Sequence, residues 1–380
     1  MKICLLTDEL SYKHGWGRYS IAVIRALLRR GADLRILSPK GLCTEPDLLE
    51  YPDHHSISSF LWETRSLLST TLANWRSVSR LVRDCQVVHC VTEPYSPVAA
   101  LAAGSRPLLI TAHGTYSVYL LTRRRDALLL RYAYRRAQGV LCVSHFTERR
   151  LREKVSRVRT LVIPEGVDFD RFQASADPAL VPDGRYLLSV GPIKPRKGYS
   201  VSLEAFALAR KSVPDLRYYI VGMIHDDDFH RQLLDSAQKA GVADSVHFLG
   251  QVPDEQLIAL YRGCSAFVLT PLTLGTQFEG FGLIYLEANA CGRPVVGTYG
   301  CGAEEAIIDG ETGFLVPQGQ PEAAAQAIVR LLENPEMAER MGVTGYERAR
   351  LMSWDVTAAK LMEHYQATTD ALMKVNNLVE

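Results

Sequence analysis

The stretch AFVLTPLTLGTQFEGFGLIYLEANACGRPVVGT (266–298) holds one complete unit of a fold. AFVLT (266–270) is a short apolar run of strand type, and PVVGT (294–298) is a second. The loop TPLTLGTQFEG follows the first run, and a helix begins near Gly282. Strand, loop, helix and strand in this order read as a parallel pair joined by a helical crossover. Two glutamates in it, Glu279 and Glu287, need explaining. A core helix has no use for Glu287 among Leu283, Ile284, Leu286 and Ala288, and a solvated loop has no use for so many Leu and Ile.

The same alternation runs along nearly the whole chain. Strand-type runs in the first half are KICLLT (2–7), DLRILS (33–38), QVVHCV (86–91), PLLITA (107–112), GVLCVS (139–144) and TLVIPE (160–165). The second half has RYLLSVG (185–191), LRYYIVG (216–222), SVHFLG (245–250), AFVLT, PVVGT and GFLVP (313–317). Amphipathic stretches such as Arg18–Arg30 and Thr122–Ala137 fall between them. This predicts an α/β fold of two doubly wound, Rossmann-like domains with parallel sheets, since one open sheet of twelve parallel strands would be unusual. PEGVDFDRFQASADPALVPDG (164–184), rich in Pro, Asp and Gly, is the expected boundary. Ligands bind at the C-terminal ends of such strands, so a cleft faced by both sheets is the expected site.

Composition narrows the class. With 47% hydrophobic and 22% charged residues the 380-residue chain is an ordinary globular protein, long enough for two cores. The net charge of +1 hides an asymmetry: residues 1–180 hold 26 Lys+Arg against 17 Asp+Glu, and residues 181–380 hold 17 against 25. Residues 121–160 are steepest, with 12 basic against 3 acidic residues, which fits either a solvated helix face or a patch for an anionic membrane surface. No nucleic-acid recognition motif accompanies the charge. The eight scattered cysteines include no C-x-x-C pair, which suits a reducing cytoplasm. No apolar run reaches the length of a membrane span, and MKICLLTDEL is too short and too acidic for a signal peptide.

Three loops carry chemistry. DELSYKHGWGRYS follows the first run and leads into a helix near Arg18; Gly15 and Gly17 allow a tight turn, but the third glycine of a dinucleotide fingerprint is Ser20. SVGPIKPRKGYS (189–200) places Lys194, Arg196 and Lys197 before a helix starting near Gly198, a setting for a diphosphate or simply a solvated basic turn. The third is the opening segment, where backbone N–H groups at Gly280–Leu283 face a helix start. A carboxylate accepts two hydroxyls of a diol well, so one glutamate on each side of an anion-binding helix start suits a nucleotide sugar.

EGFGLIYLEANACGRPVV (279–296) resembles the E-x7-E signature of the retaining glycosyltransferases of family 4, which have the GT-B fold. The surroundings agree in order over essentially the whole chain. HGWGRYS resembles the glycine loop, PEGVDFDRF the interdomain segment, VGPIKPRKG the phosphate loop, HFLGQVPDEQL the base-binding region and MSWDVTAAKLMEHY the start of the closing helices. The resemblance implies an acceptor-side domain over 1–170, a nucleotide-sugar domain over 171–353 and a helical segment, 354–380, packing back on the first domain. It assigns Glu287 to the ribose hydroxyls and Glu279 to hydroxyls of the donor sugar. Backbone groups of Gly280, Phe281, Gly282 and Leu283 would meet the sugar and diphosphate, and Val252 would lie at the base. Lys197 matches the phosphate lysine, and Gly17 a diphosphate contact from the first domain. His113, ending the run 107–112, matches a histidine that contacts the sugar near the reaction centre; Glu279, Lys197 and His113 are thus the candidate catalytic set.

Two departures stand out. The family usually has Arg directly after the glycine of the phosphate loop, where this chain has Pro192, so Lys194 and Arg196 are candidates to supply the missing cation. The asparagine expected before G-V-D is Glu165.

The implied activity is retaining, metal-independent transfer of a sugar from a nucleotide-diphosphate donor to a hydroxyl acceptor, with no cofactor. A lipid-linked or surface-polysaccharide acceptor fits the basic first half, as does a cytoplasmic protein held peripherally on the inner face of a membrane. A non-catalytic nucleotide-sugar-binding relative and a GT-B phosphorylase or epimerase are the alternatives. Asp226–Asp228 contain a D-x-D but open a helix, where acids cap; His54 and His55 beside Asp53 sit in a polar stretch read as loop. Neither is expected to hold a metal. ISSFLWETRSLLSTTLANWRSVSRLVRD (57–84), with Trp62, Trp75, Arg65, Arg76, Arg80 and Arg83, reads either as a helix packed on the sheet or as an interfacial one.

Overall fold

The computed structural model describes residues 1–60 and 66–376, so Trp62 and Arg65 lie outside the described residues. The chain divides into two compact units, Met1–Gly166 with the segment from Trp354, and Val167–Ser353.

The first unit is built on β1 (Lys2–Leu6), β2 (Asp33–Pro39), β3 (His54–Ile57), β4 (Val87–Cys90), β5 (Leu108–Ala112), β6 (Gly139–Cys142) and β7 (Thr160–Val162). The second contains β8 (Tyr186–Val190), β9 (Arg217–Val221), β10 (Val246–Gly250), β11 (Ala266–Val268), β12 (Val295–Thr298) and β13 (Gly313–Val316). The sheet orders are β3-β2-β1-β4-β5-β6-β7 and β10-β9-β8-β11-β12-β13, and every pair is parallel. β1, β4, β5 and β6 are buried almost throughout, as strands covered on both faces must be. Each sheet steps outward from its founding strand, then reverses to the other side of it. The reversal falls between β1 and β4 and between β8 and β11, and leaves a crevice at the C-terminal ends of those strands.

β3 was missed by the sequence reading, which put His54 and His55 in a loop. It is an edge strand, registered from Ile36↔His54 to Pro39↔Ile57. With one neighbour and half-exposed side chains, it has no need of an apolar run. His54 Nε2 lies 2.7 Å from Ser38 Oγ and His55 Nε2 2.8 Å from Asp53 Oδ1. Asp53 is also bonded by Arg35 at 2.7 Å and Lys2 at 2.8 Å, so these residues form an ion network.

The helix after β1 starts earlier than the sequence suggests, at Gly15, so Gly17 sits inside its first turn. Within 57–84 the helix is Leu67–Leu81, capped by Ser66, whose side chain accepts from Ser69 N–H. Leu67, Thr70, Thr71, Asn74 and Val78 are buried, so this helix packs. Its outward face nevertheless carries Leu68, Leu72 and Trp75 at helical spacing, beside exposed Arg76 and Arg80. The helix Trp354–Asn376 belongs to the first unit: Thr357 donates to the Pro164 carbonyl at 3.0 Å, and the Tyr365 hydroxyl lies 2.6 Å from His89 Nδ1.

Gly198 ties the loop after β8 to the loop after β11. Its φ is +73°, and a Cβ there would stand 1.7 Å from the Thr270 carbonyl oxygen. Gly198→Ala should therefore cost more than about 2 kcal/mol, since strain and a backbone clash add. Gly31, with φ +75° and open space around it, is the control, and its alanine variant should lose only about 1 kcal/mol. Thermal denaturation of both variants checks the difference.

Candidate active site

The loop after β8 and the loop after β11 meet over the switch point of the second sheet. Lys197 Nζ donates to Glu279 Oε2 at 2.6 Å, and Arg196 Nη1 approaches the same oxygen at 3.3 Å while also donating to the Phe278 carbonyl. Both side chains of the closer pair are nearly buried, at 9% and 12% exposure, which makes this a desolvated ion pair. Burial pushes the Glu279 carboxyl up, but Lys197 and then Arg196 more than offset it and hold the group at about 2. Lys197 is itself lowered by burial. Three cations and one carboxylate leave a net positive loop.

Lys194 is the uncommitted cation. Its ammonium makes no hydrogen bond or ion pair among the described residues. Burial, followed by the charges of Arg196 and Lys197, brings it down to about 8. Pro192 stands where the main chain pairs with its neighbour loop: Gly191 N–H bonds Val221 O at 2.8 Å and Ile193 N–H bonds Met223 O at 2.9 Å.

The helix Leu283–Ala290 starts from Gly282, in the left-handed region at φ +94°, with no side-chain cap. Tyr285 N–H is taken by the Gly282 carbonyl at 3.0 Å, which leaves Leu283 and Ile284 as the first-turn amides with no acceptor one turn back in the helix, a setting that suits an anion. Gly280 and Phe281 lead into this start, directly after Glu279. Glu287, by contrast, lies within the helix, 5% exposed, and accepts a 2.8 Å bond from the Tyr261 hydroxyl. Tyr261 was missed by sequence reasoning, because a tyrosine on an apolar helix face gives no signal that its hydroxyl serves a carboxylate 26 residues away. Val252 lies between the end of β10 and the helix Asp254–Gly263, two strands from β8, and is not part of the ion cluster.

Gly17 and His113 belong to the first unit. Gly17 is buried, and a Cβ there would meet the Ser11 carbonyl at 2.1 Å, so the residue serves close packing of the β1 loop on the helix. His113 follows β5 directly. Its Nε2 is 2.7 Å from the Val91 carbonyl, which can only accept, so that nitrogen carries a proton. Its backbone N–H donates to Glu93 Oε1 at 2.8 Å, Tyr19 meets its ring edge-on at 4.5 Å, and Nδ1 lies 3.8 Å from Glu165 Oε1. Burial would lower the ring, yet Glu165 and Glu93 outweigh it and the net shift is upward. Glu93 was also missed, though a carboxylate just beyond a parallel strand was a visible cue.

Asp226 caps the helix Asp227–Lys239, accepting from Phe229 N–H at 2.9 Å. Among the described residues no group of three or more His, Cys, Asp or Glu is placed to hold a metal ion.

Two family models match: Glycosyltransferase Family 4 over residues 14–171 and Glycosyl transferases group 1 over residues 170–348. A GDP-mannose-dependent alpha-(1-6)-phosphatidylinositol monomannoside mannosyltransferase of Mycolicibacterium smegmatis is 33% identical over 380 residues, covering 94% of this chain and 97% of its own. A phosphatidyl-myo-inositol mannosyltransferase of Mycobacterium leprae is 32% identical over 297 residues, 77% of this chain and 76% of its own. Anabaena Alr3699/HepE, solved with UDP and glucose, superposes with a TM-score of 0.79 at 20% identity, covering 97% of this chain and all of that one. At that identity the likeness speaks for the fold. With two parallel-sheet Rossmann-like units, two matching family models and a relative a third identical over nearly its whole length, the chain belongs to the family 4 (group 1) glycosyltransferases of GT-B fold.

Proposed function

We propose that this glycosyltransferase moves mannose, with retention and without a metal, from GDP-mannose to a hydroxyl of a phosphatidylinositol-type glycolipid. The observation that carries the reading is the Lys197–Glu279–Arg196 cluster at the β8/β11 switch point, beside an uncapped helix start. The names of the mannosyltransferase relatives support the donor and the acceptor. Anion-binding amides and three cations suit a diphosphate, and Glu279 and Glu287 suit hydroxyls of the sugar and the ribose.

In this mechanism the acceptor oxygen bonds to the anomeric carbon on the face from which the phosphate leaves. The carbon–oxygen bond to the diphosphate breaks with its electrons going to the phosphate, and a phosphate oxygen takes the acceptor's proton. Lys194, Arg196 and Lys197 stabilise the charge that builds on the leaving group. Glu279 is a sugar ligand and a counterion for Lys197, not a nucleophile; held at about 2, it stays ionised throughout the working range.

Membrane attachment is the second part of the proposal. The helices Leu67–Leu81 and Arg124–Arg136 lie against each other and expose Leu68, Leu72, Trp75, Leu128 and Tyr132 among Arg76, Arg80, Arg124, Arg125 and Arg135. Apolar side chains flanked by arginines suit an anionic bilayer surface. No helix among the described residues is long and apolar enough to cross a membrane.

Isothermal titration with GDP, UDP and ADP tests the donor site. One diphosphate, expected to be GDP, should bind, and Glu287→Ala and Lys197→Ala should each weaken it at least about tenfold, as for hydrogen bonds to charged groups. Absence of binding by all three would overturn the reading.

The pH dependence isolates Lys194. An anionic ligand favours the ammonium form, so affinity should fall as pH rises through and beyond about 8, where that form is lost. Lys194→Met should bind more weakly at pH 7 and show a flatter profile from pH 7 to 9. An unchanged profile would assign the missing cation elsewhere.

Flotation with phosphatidylinositol-containing vesicles checks the surface. The wild-type chain should float at low salt and less so at high salt, and Leu72→Glu with Trp75→Ala should remain at the bottom. A wild-type chain that stays unbound at low salt removes the membrane part of the proposal.

A further inference from the structure

The second unit has another hollow, at the end of its sheet opposite the crevice. Arg185, Ser265 and Pro294 stand directly before β8, β11 and β12, which are neighbours in that sheet. With Arg293 they border a cavity of about 610 Å³, within the range of roughly 300–1,000 Å³ that small-molecule sites occupy. The helices Pro321–Glu333 and Pro335–Leu351 supply the opposite wall, which is largely apolar through Leu331, Leu332 and Val343. The five residues of β8 put roughly 15 Å between this cavity and the crevice.

Arg293 is the exception among the charges here. Its side chain makes no hydrogen bond or ion pair among the described residues, and its Nε is shut off from solvent without an acceptor. The arginines around it are engaged: Arg185 pairs with Asp215 at 2.6 Å, and Arg262 donates to the Phe172 carbonyl at 2.8 Å. A part-buried guanidinium holds five donors and a charge, and leaving them unanswered costs free energy. Ser265 has the same character. Its N–H goes to the Tyr186 carbonyl at 2.8 Å, but its hydroxyl has no partner among the described residues. The helix Pro335–Leu351 starts beside the cavity with no side-chain cap, so its positive end adds to the field.

We propose that this cavity binds a small amphipathic oxyanion, a phosphate or carboxylate carried on a short apolar body. The head meets Arg293, Ser265 and the helix start, and the body lies along Leu331, Leu332 and Val343. A neutral ligand would leave the Arg293 charge unanswered, and a bare inorganic ion would leave the apolar wall in water. The acidic neighbours set the orientation. Asp215 is taken by Arg185, whereas Glu339 lines the helical wall, is exposed, and forms no ion pair with Arg293. The anionic head therefore belongs on the strand side, away from Glu339. The site shares no residue with the crevice, so the inference stands apart from the transferase reading.

Isothermal titration with hexyl phosphate, hexanoate and inorganic phosphate tests the site. At least one of the two amphiphiles should bind the wild-type chain, and the tighter one names the head group. Inorganic phosphate should bind at least about tenfold more weakly, because it buries no apolar surface. Arg293→Gln should weaken the amphiphile at least about tenfold, as for hydrogen bonds to a charged group. Val343→Glu, at a helix position 60% exposed, should also weaken it by setting a carboxylate at the apolar wall. That variant carries the test if Arg293→Gln does not fold. Lys194→Met, in the crevice, should bind the amphiphile like the wild-type chain, and excess GDP should not displace it. No binding of either amphiphile, equal binding of inorganic phosphate, displacement by GDP, or unweakened binding in Arg293→Gln would each overturn the proposal.

Discussion

The arrangement of the second unit turns on one buried ion pair. Lys197 and Glu279 are brought together from loops 82 residues apart, and neither charge is well solvated. Removing either partner would strand the other, at a cost of about 3–5 kcal/mol. The pair can form because the sheet reverses between β8 and β11, so the loops leaving those two strands lie side by side. Gly198 brings the backbones to within contact, where any side chain would keep them apart. Tyr285 then anchors the helix behind Glu279, its hydroxyl donating to the Leu269 carbonyl at 2.7 Å. Fold and site share one constraint: the crevice exists where the topology changes direction, and the charges occupy it.

Among the described residues twelve of thirteen strands were legible, the central ones because parallel strands buried on both faces must be apolar without interruption, and the edges β7, β10 and β13 because they keep short apolar runs although only part-buried. β3 was not, since HHSI is an edge strand that satisfies its polar side chains through Ser38 and Asp53. Loop positions carrying Lys194, Arg196, Lys197 and Glu279 were visible for a related reason. Charged residues directly beyond an apolar strand have no place in the core and must be accounted for at the sheet edge. Pairing among them was not visible, because it depends on which strands are neighbours, and strand order leaves no mark in a periodic pattern.

Glu279 and Glu287 show the same limit at the scale of a side chain. The two residues are of one type and eight positions apart, yet Glu279 is balanced by cations while Glu287 is held by a phenol. Tyr261 comes from another helix, Asp254–Gly263, and the ring contacts from Phe172 through Tyr261 and Phe267 to Tyr285 hold it in place. His113 could be located at a strand end, but the identity of its free nitrogen could not be read, since that follows from the Val91 carbonyl and not from any residue type.

Pro192 ties these points together. A proline there supplies neither a backbone donor nor a charge, which in the sequence looked like damage to the phosphate loop. The main chain on either side of it is nonetheless fully engaged, through Gly191 to Val221 and Ile193 to Met223. That geometry is tied by pairing with the end of β9 and the loop beyond it. The next basic residue, Lys194, has an ammonium with no hydrogen bond or ion pair among the described residues, although the charge of Glu279 reaches it. Arg196 and Lys197 are paired with Glu279, whereas Lys194 feels that carboxylate only through space. A lysine lowered to about 8 by burial and by its cationic neighbours is held in a setting that disfavours its charge. An anion beside it would favour the charged form and offset that penalty.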